Sequence, residues 1–286
     1  MQVAEQRYEK TRQKVALAGG QAPVLDLVIP HCREDMAWLR DTAHIPARAR
    51  LFIYEKCGEP GNFSDLYSRF EVIEQVDLSD GIDATLQKFV RRDECNAYLT
   101  HSVRQYDDLG DFTAFVHGTP SDHLTWDWFN LVMRMVDLGV YDAPYLHLSS
   151  PRLVMTVNPC QEFVFETVFG KKLAEPIGAY CCSQFLVSRS RIMEQPKSYY
   201  ENILRVADGT IPDHCERVGP SYEKYVGQRL SYCYQLEFMW HHVFGEPIRL
   251  PLRSDDSRLP LALRMKDRQE RLPMWKEPFL RSIWTA

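Results

Sequence analysis

A chain of 286 residues that is 45% hydrophobic and 12% aromatic can bury one large core or two small ones. Its net charge of −5 and pI near 6.0 exclude a wholly basic nucleic-acid binder, although not a local basic patch. No apolar run approaches the roughly 18 residues of a membrane span, and the eight cysteines show no C-x-x-C spacing, which reads as reduced thiols in a cytosol.

Residues 1–22 are charged, lack a signal-peptide core and read as a polar helical arm ending at Gly19-Gly20. A soluble, cytoplasmic protein is expected. Val24 to Pro30 (V-L-D-L-V-I-P) has the short apolar run of a buried strand. The polar cluster His31-Cys32-Arg33-Glu34-Asp35 follows, then a helix through Trp38 and Leu39. Leu51 to Tyr54 is a second strand, ending in Glu55-Lys56-Cys57-Gly58, and E-P-G-N-F-S-D is a loop by its Gly, Pro and Asn content.

A long helix is predicted from Ile82 to Tyr106 and a strand from Phe112 to His117, followed by the polar loop T-P-S-D-H ending at His123. Trp126 to Leu138 is amphipathic and helical, Tyr145 to Leu148 strand-like, and Gln161 to Phe169 helical with Gly170 as its stop. The run Ala179 to Ser188 is apolar. Pro196 fits the first turn of a helix reaching about Val206. Tyr222 to Phe244 is predicted helical, with Val226, Leu230, Cys233, Trp240 and Phe244 on one face and Gly245 as its end. The Pro-rich tail, residues 247–286, holds nine Lys and Arg against five Asp and Glu, a local +4. The expected organisation is an arm (1–22), one α/β domain (23–246) and a basic extension (247–286).

In an open α/β sheet, ligands bind beyond the carboxyl ends of the strands. That edge would receive His117, Asp122 and His123, with Asp93 and Glu94 supplied by the preceding helix. The two histidines and Asp122 have the chemistry of a divalent-metal site, or of a hydrogen-bonded loop scaffold; no H-E-x-x-H or D-x-D strengthens the metal reading. Asp93 and Glu94 in R-R-D-E also fit a solvated charged face, but Glu94 shares a face with Val90, Ala97 and Tyr98. Glu237 lies on the apolar face of its helix, so its carboxyl must be paired, hydrogen-bonded or protonated. Cys181, Cys182 and Ser183 are candidate nucleophiles whose apolar surroundings read instead as inert buried groups, and the adjacent cysteines are a poor zinc or disulfide framework. No G-x-S-x-G, P-loop or G-x-G-x-x-G occurs, so hydrolase-elbow, NTPase and dinucleotide-binding readings have no motif.

Several segments in combination carry a resemblance: V-I-P-H-C-R-E-D-M-A-W-L (Val28–Leu39), D-E-C-N-A-Y-L around Glu94, Y-D-D-L-G-D-F-T-A-F-V-H-G (Tyr106–Gly118), Y-C-C-S-Q-F-L-V-S-R-S-R-I (Tyr180–Ile192) with P-K-S-Y-Y, and L-E-F-M-W-H-H-V-F-G (Leu236–Gly245). Spanning about Leu25 to Gly245, they resemble a mostly fungal family catalogued as a domain of unknown function, whose fold looks like a GT-A-type glycosyltransferase, a Rossmann-type α/β sandwich. The strand that would end in Asp-x-Asp ends here in His117-Gly118-Thr119-Pro120, which leaves no obvious seat for Mn²⁺ and a sugar diphosphate. Many relatives also begin with a membrane anchor that this sequence lacks. Within the family the chain resembles the fungal arginine-containing cyclodipeptide synthases, secondary-metabolite enzymes that use aminoacyl-tRNAs.

The resemblance implies an aminoacyltransferase that joins Arg-tRNA and a second charged tRNA into a cyclo-Arg-Xaa diketopiperazine, without metal or other cofactor and without a membrane. Glu237 would be the base and Glu94, with Asp93, a clamp for the arginine guanidinium. Arg33, His117, Asp122, His123, Cys181 and Ser183 would line the substrate site. Lys56, Arg264, Lys266, Arg268 and Arg271 would meet RNA phosphates. The alternatives are a glycosyltransferase using a nucleotide sugar and a non-catalytic binding protein on the same scaffold.

Overall fold

The computed structural model of the chain describes residues 23–41, 45–58, 60–79, 81–83, 88–90, 93–150, 152–155, 159–208 and 232–266. The predicted arm over residues 1–22 lies outside these, as do Arg268 and Arg271.

The apolar run near the start forms strand β1 (Leu25–His31), buried along its whole length. Leu25, Leu27 and Ile29 enter one core and Val28 the other. Strand β2 (Ala49–Glu55) repeats this alternation, with Leu51 and Ile53 on one side and Phe52 and Tyr54 on the other. Strands apolar on both faces belong inside a sheet covered by helices on both sides. Each fully buried aliphatic or aromatic side chain contributes roughly 1.5–3 kcal/mol.

Strands β3 (Val72–Asp77), β6 (Phe112–Phe115), β7 (Tyr145–His147) and β10 (Phe185–Ser188) complete a six-stranded sheet in the order β3-β2-β1-β6-β10-β7. Neighbours from β3 to β6 are parallel, and β10 is antiparallel to both β6 and β7. With helices flanking it, this mixed sheet makes the Rossmann-like α/β single domain that the resemblance to a GT-A-type fold implies. Helix α1 (Glu94–Arg104) covers one face, and helix α2 (Trp126–Asp137) the other through Trp128, Phe129, Val132, Met133 and Val136. Helix α3 (Pro159–Phe169) ends at Gly170, whose φ of +66° suits its role as the stop. Short α4 (Arg189–Ile192) leads through Pro196, the N-cap, into α5 (Lys197–Ala207), which packs on α1.

Three predicted elements differ. The helix expected from Ile82 to Tyr106 begins only at Glu94; before it β4 (Gly81–Asp83) and β5 (Lys88–Val90) pair as an antiparallel ribbon. Asp93 is the N-cap, its N–H donating to Asn96 Oδ1 at 2.9 Å within a capping box, and this sets the late start. The run Ala179–Ser188 divides into β9 (Ile177–Tyr180), paired with β8 (Arg152–Met155), and β10, separated by a turn at 181–184. Of the helix expected from Tyr222 to Phe244, residues 222–231 lie outside the described set. The remainder is two short helices, α6 (Tyr232–Leu236) and α7 (Trp240–Val243), broken at residues 237–239.

The expectation of reduced thiols is overturned. Cys32 is bonded to Cys57, Cys95 to Cys233, and Cys181 to its neighbour Cys182. Cys160 is disulfide-bonded as well. The pairings cross 25 and 138 residues of sequence in the first two cases, separations that spacing motifs do not encode.

The tail is not an appendage at its start. Residues 248–250 run beside Gly178, whose N–H donates to Ile248 O at 3.0 Å and whose O accepts from Leu250 N–H at 2.9 Å. Leu259 and Leu263, the latter in α8 (Leu261–Lys266), are buried in the same core as Leu27 and Val132. Arg253 is buried with its guanidinium 4.8 Å from the Trp128 ring centre and 4.3 Å from that of Tyr180. Arg258 pairs with Glu246 and Asp256, both at 2.8 Å. Two of the tail's nine basic residues, Arg253 and Arg258, are therefore already engaged by the domain. No helix among the described residues is long and apolar enough to cross a membrane.

One buried charge cluster ties the sheet together at the amino-terminal end of β1. Asp26, fully buried, accepts from Arg50 Nε at 2.6 Å and Nη2 at 2.8 Å and from Gly110 N–H at 2.7 Å; His101 Nε2 stands 3.8 Å away. Burial pushes the Asp26 carboxyl upward, but His101, Arg50 and the Gly110 amide outweigh it and hold the pKa below its ordinary value. Gly110 is required here by space: a Cβ would lie 2.8 Å from Asp26 Oδ1 and 2.9 Å from Val24 O.

Candidate functional site

Strand order reverses between β1 and β6, so the carboxyl ends of these two strands frame the natural ligand crevice of such a sheet. β10 runs the other way, with Phe185 opposite Phe115. The turn 181–184 before β10 therefore arrives at the same edge as the loop after β6. His117 and His123 come from that loop, Glu94 from the first turn of α1, and Glu237 from the break between α6 and α7.

Glu237 is the centre of the constellation. Its Oε1 accepts the Cys182 N–H at 3.0 Å. The residue keeps a partial opening to solvent while protein surrounds its carboxyl. Burial first, then repulsion from Glu94, pushes its pKa from 4.5 up to about 8; the Cys182 amide pulls back. At neutral pH Glu237 is mostly protonated while it sits within the field of a second carboxylate. The Tyr98 hydroxyl, fully buried and with no partner among the described residues, feels both glutamates and stays protonated, its pKa raised by burial and then by Glu94 and Glu237.

The two histidines lie edge to face with ring centres 5.6 Å apart. Burial, then His123 and Lys56, push His117 down to about 4, so its imidazole is neutral at pH 7. Its Nε2 is buried without a partner among the described residues, while its backbone N–H donates to Gln184 Oε1 at 3.3 Å. His123 is lowered by burial, with Asp122 and Glu94 pulling the other way. Glu94 thus acts on Glu237, Tyr98 and His123 at once.

The turn itself is unusual. Cys182 and Ser183 hold φ of +77° and +44°, a region that non-glycine residues rarely adopt, and the Cys181–Cys182 bond closes a ring across one peptide unit. Gln184 anchors the turn by donating from Nε2 to Pro120 O at 3.1 Å. Ser183 is buried and its Oγ accepts from Trp240 Nε1 at 3.2 Å. The neighbouring clamp is the Cys32–Cys57 bond, which ties the loops after β1 and β2 beside a buried His31–Glu55 pair at 2.6 Å. Hydrogen bonding to Glu55 raises the His31 pKa against the opposing effect of burial.

Of the residues singled out by sequence, Glu94, Glu237, His117, His123, Cys181 and Ser183 converge on this edge. Lys56 reaches it electrostatically, through His117. Asp122 is exposed beside His123, Arg33 is exposed at φ +74°, and Asp93 serves as the α1 cap. Cys181, half of a disulfide, carries no thiol, which removes it as a nucleophile; Ser183 is enclosed. Arg264 and Lys266 belong to α8, whose Leu263 enters the core of Leu27 and Val132 rather than the one that holds Tyr98. Tyr98 and Glu34 were missed, and Cys182, weighed as a nucleophile, takes part instead through its backbone N–H. Tyr98 stands four residues after Glu94, a helical spacing that could have flagged it. Glu34 packs where a Gly118 Cβ would lie, 2.7 Å from its own Cβ, and Trp38 Nε1 donates to Gly118 O at 2.7 Å.

Among the described residues, the one group with metal-ligating spacing is His123 with Cys181 and Cys182, whose ligand atoms all lie within 4.8 Å of one another. With its sulfurs bonded to each other this group offers no thiolate. His117, Asp122 and His123, which could have been a metal site or a loop scaffold, do not form a comparable cluster.

Residues 155–253 match a family described as protein of unknown function, DUF3431. No curated protein matches the chain.

Proposed function

We propose that the crevice transfers an activated acyl group to an amine, and that its substrates are aminoacyl-tRNAs, one of them carrying arginine, joined by two aminolysis steps into a cyclo-Arg-Xaa diketopiperazine. The observation that carries this reading is Glu237, raised to about 8 beside Glu94. A carboxyl mostly protonated at neutral pH, with a pKa of about 8, is in its ionised form a base strong enough to take the proton of an α-ammonium, and it can return one to the departing ribose oxygen. In each step the amine nitrogen bonds to the ester carbonyl carbon, the ester C–O bond breaks, and the proton lost by nitrogen is matched by the one gained by the leaving hydroxyl. Glu94 is the planar acceptor for the guanidinium. The Tyr98 hydroxyl is a spare donor near both. Neutral His117 and His123 add no positive charge to repel a cationic amine. The bonded Cys181 and the enclosed Ser183 support direct aminolysis over transfer through either side chain. Under this reading the chain works in the cytoplasm, where charged tRNA is available.

A specific observation favours a second reading. Disulfides across Cys32–Cys57 and Cys95–Cys233 are characteristic of oxidising compartments, where the substrate would be a nucleotide sugar and the reaction glycosyl transfer with Glu237 as the base. Incubating the purified chain with arginyl-tRNA plus other charged tRNAs, and separately with nucleotide sugars and amine or hydroxyl acceptors, separates the two. Mass spectrometry should find an arginine-containing diketopiperazine in the first mixture. Nucleotide-sugar turnover without a diketopiperazine would replace the first reading with the second.

A further inference from the structure

We infer that the Cys181–Cys182 pair, once reduced, forms with His123 a binding site for a soft divalent or monovalent metal ion such as Zn²⁺, Cd²⁺ or Cu⁺. This goes beyond the transfer reaction and does not depend on it.

The geometry is the argument. Three ligand atoms, two sulfurs and one imidazole nitrogen, already lie within 4.8 Å of one another. Zinc with sulfur at about 2.3 Å and nitrogen at about 2.0 Å, in tetrahedral array, needs its ligand atoms roughly 3.3–3.8 Å apart. Breaking the sulfur–sulfur bond lets the two sulfurs separate toward that spacing while His123 closes in. Each element holding the ligands is anchored independently of the metal: Gln184 binds the turn to Pro120 O, and Ser150 N–H donates to His123 O at 3.0 Å. Cys182 and His123 are half-buried, which leaves an approach from solvent, and Cys181 is buried, which shields the site from competing water. The Glu237 carboxyl accepts the Cys182 N–H and so stands beside these ligands. Mixed thiolate and imidazole donors select soft ions over Mg²⁺ or Ca²⁺.

The chemistry balances with a dithiol as reductant. Two electrons and two protons pass to Cys181 and Cys182, the dithiol becomes its own cyclic disulfide, and metal binding then releases both thiol protons to solvent.

The test uses the full chain, first as isolated and then reduced with dithiothreitol and desalted without oxygen, titrated with Cd²⁺ and followed by the thiolate-to-cadmium charge-transfer absorption. The reduced wild type should take up one more Cd²⁺ than the Cys181→Ser/Cys182→Ser variant treated alike, a comparison that cancels any contribution from the other cysteines. The oxidised wild type should show no such band. His123→Ala, which leaves both sulfurs in place, should weaken binding by at least the roughly 10–100-fold that losing even an outer-shell partner causes. Equal uptake by reduced wild type and double-serine variant would overturn the inference, and so would undiminished affinity in His123→Ala. Should the double-serine variant fail to fold, the His123→Ala comparison decides alone.

Discussion

Replacing Glu237 by glutamine probes whether a proton resides there, and the effect can be worked from its surroundings. Burial and Glu94 raise the carboxyl from 4.5 to about 8. Below pH 4.5 the folded and unfolded chains are both protonated at this position, and it costs nothing. As pH rises through the interval from 4.5 to about 8, the unfolded chain ionises while the folded chain holds its proton. Stability then falls by about 1.4 kcal/mol per pH unit, and levels off above the folded pKa. The full interval would amount to about 5 kcal/mol, and the partial opening of Glu237 to water reduces this to roughly 2–4 kcal/mol. Glutamine keeps an oxygen to accept the Cys182 N–H and does not titrate. In urea unfolding followed by tryptophan fluorescence, wild type should therefore lose roughly 2–4 kcal/mol more than Glu237→Gln between pH 5 and pH 8. Parallel stability profiles for the two proteins would refute a raised Glu237 pKa. On the same samples, single-turnover aminoacyl transfer should fall by roughly 10²–10⁴ in the variant. A folded variant with the wild-type rate would remove Glu237 from the chemistry.

At the opposite end of β1, Arg50→Ala should destabilise by roughly 3–5 kcal/mol by leaving Asp26 charged and buried without its fork. Because the Asp26 pKa is lowered, its contribution is present above the unfolded carboxylate pKa and lost as pH falls through the folded one, so the variant should lose part of the wild type's acid sensitivity; identical acid profiles count against the assignment. Denatured without reductant, the chain should show no reactive thiol at Cys32, Cys57, Cys95, Cys181, Cys182 or Cys233, and Cys95→Ser with Cys233→Ser should cost roughly 2–5 kcal/mol. Freely titrating thiols in freshly isolated protein would argue instead for the reducing cytosol. Truncation after Pro251 should unfold the chain by removing Arg253, Leu259 and Leu263 from the core, whereas neutralising Arg264, Lys266, Arg268 and Arg271 should flatten the salt dependence of tRNA binding; an unchanged salt slope excludes those residues from RNA contact.

The readable parts of this fold are those in which local pattern and tertiary environment agree. Leu25 to Ile29 and Leu51 to Tyr54 are apolar on both faces and became inner strands; Trp126 to Asp137 is apolar on one face and became a covering helix. Phe89 and Val90 fit a strand or a buried helical face equally well, and only the pairing of Gly81 with Val90 decides between them. Cysteine pairing was illegible for a related reason: Cys95 and Cys233 meet because α1 and α6 pack together, and nothing local to either residue records that contact. Glu237 divides the two cases. Its helical spacing from Cys233 survives, since its own N–H still donates to Cys233 O at 3.0 Å, so the sequence could mark its apolar face. Then Phe238 and Met239 bond three residues back, to Gln235 and Leu236, and the helix breaks. What the carboxylate meets there, an amide 55 residues earlier whose φ is +77°, depends on the bonded Cys181–Cys182 turn. The residue's burial was therefore legible, whereas the partner that positions it had to come from the folded chain.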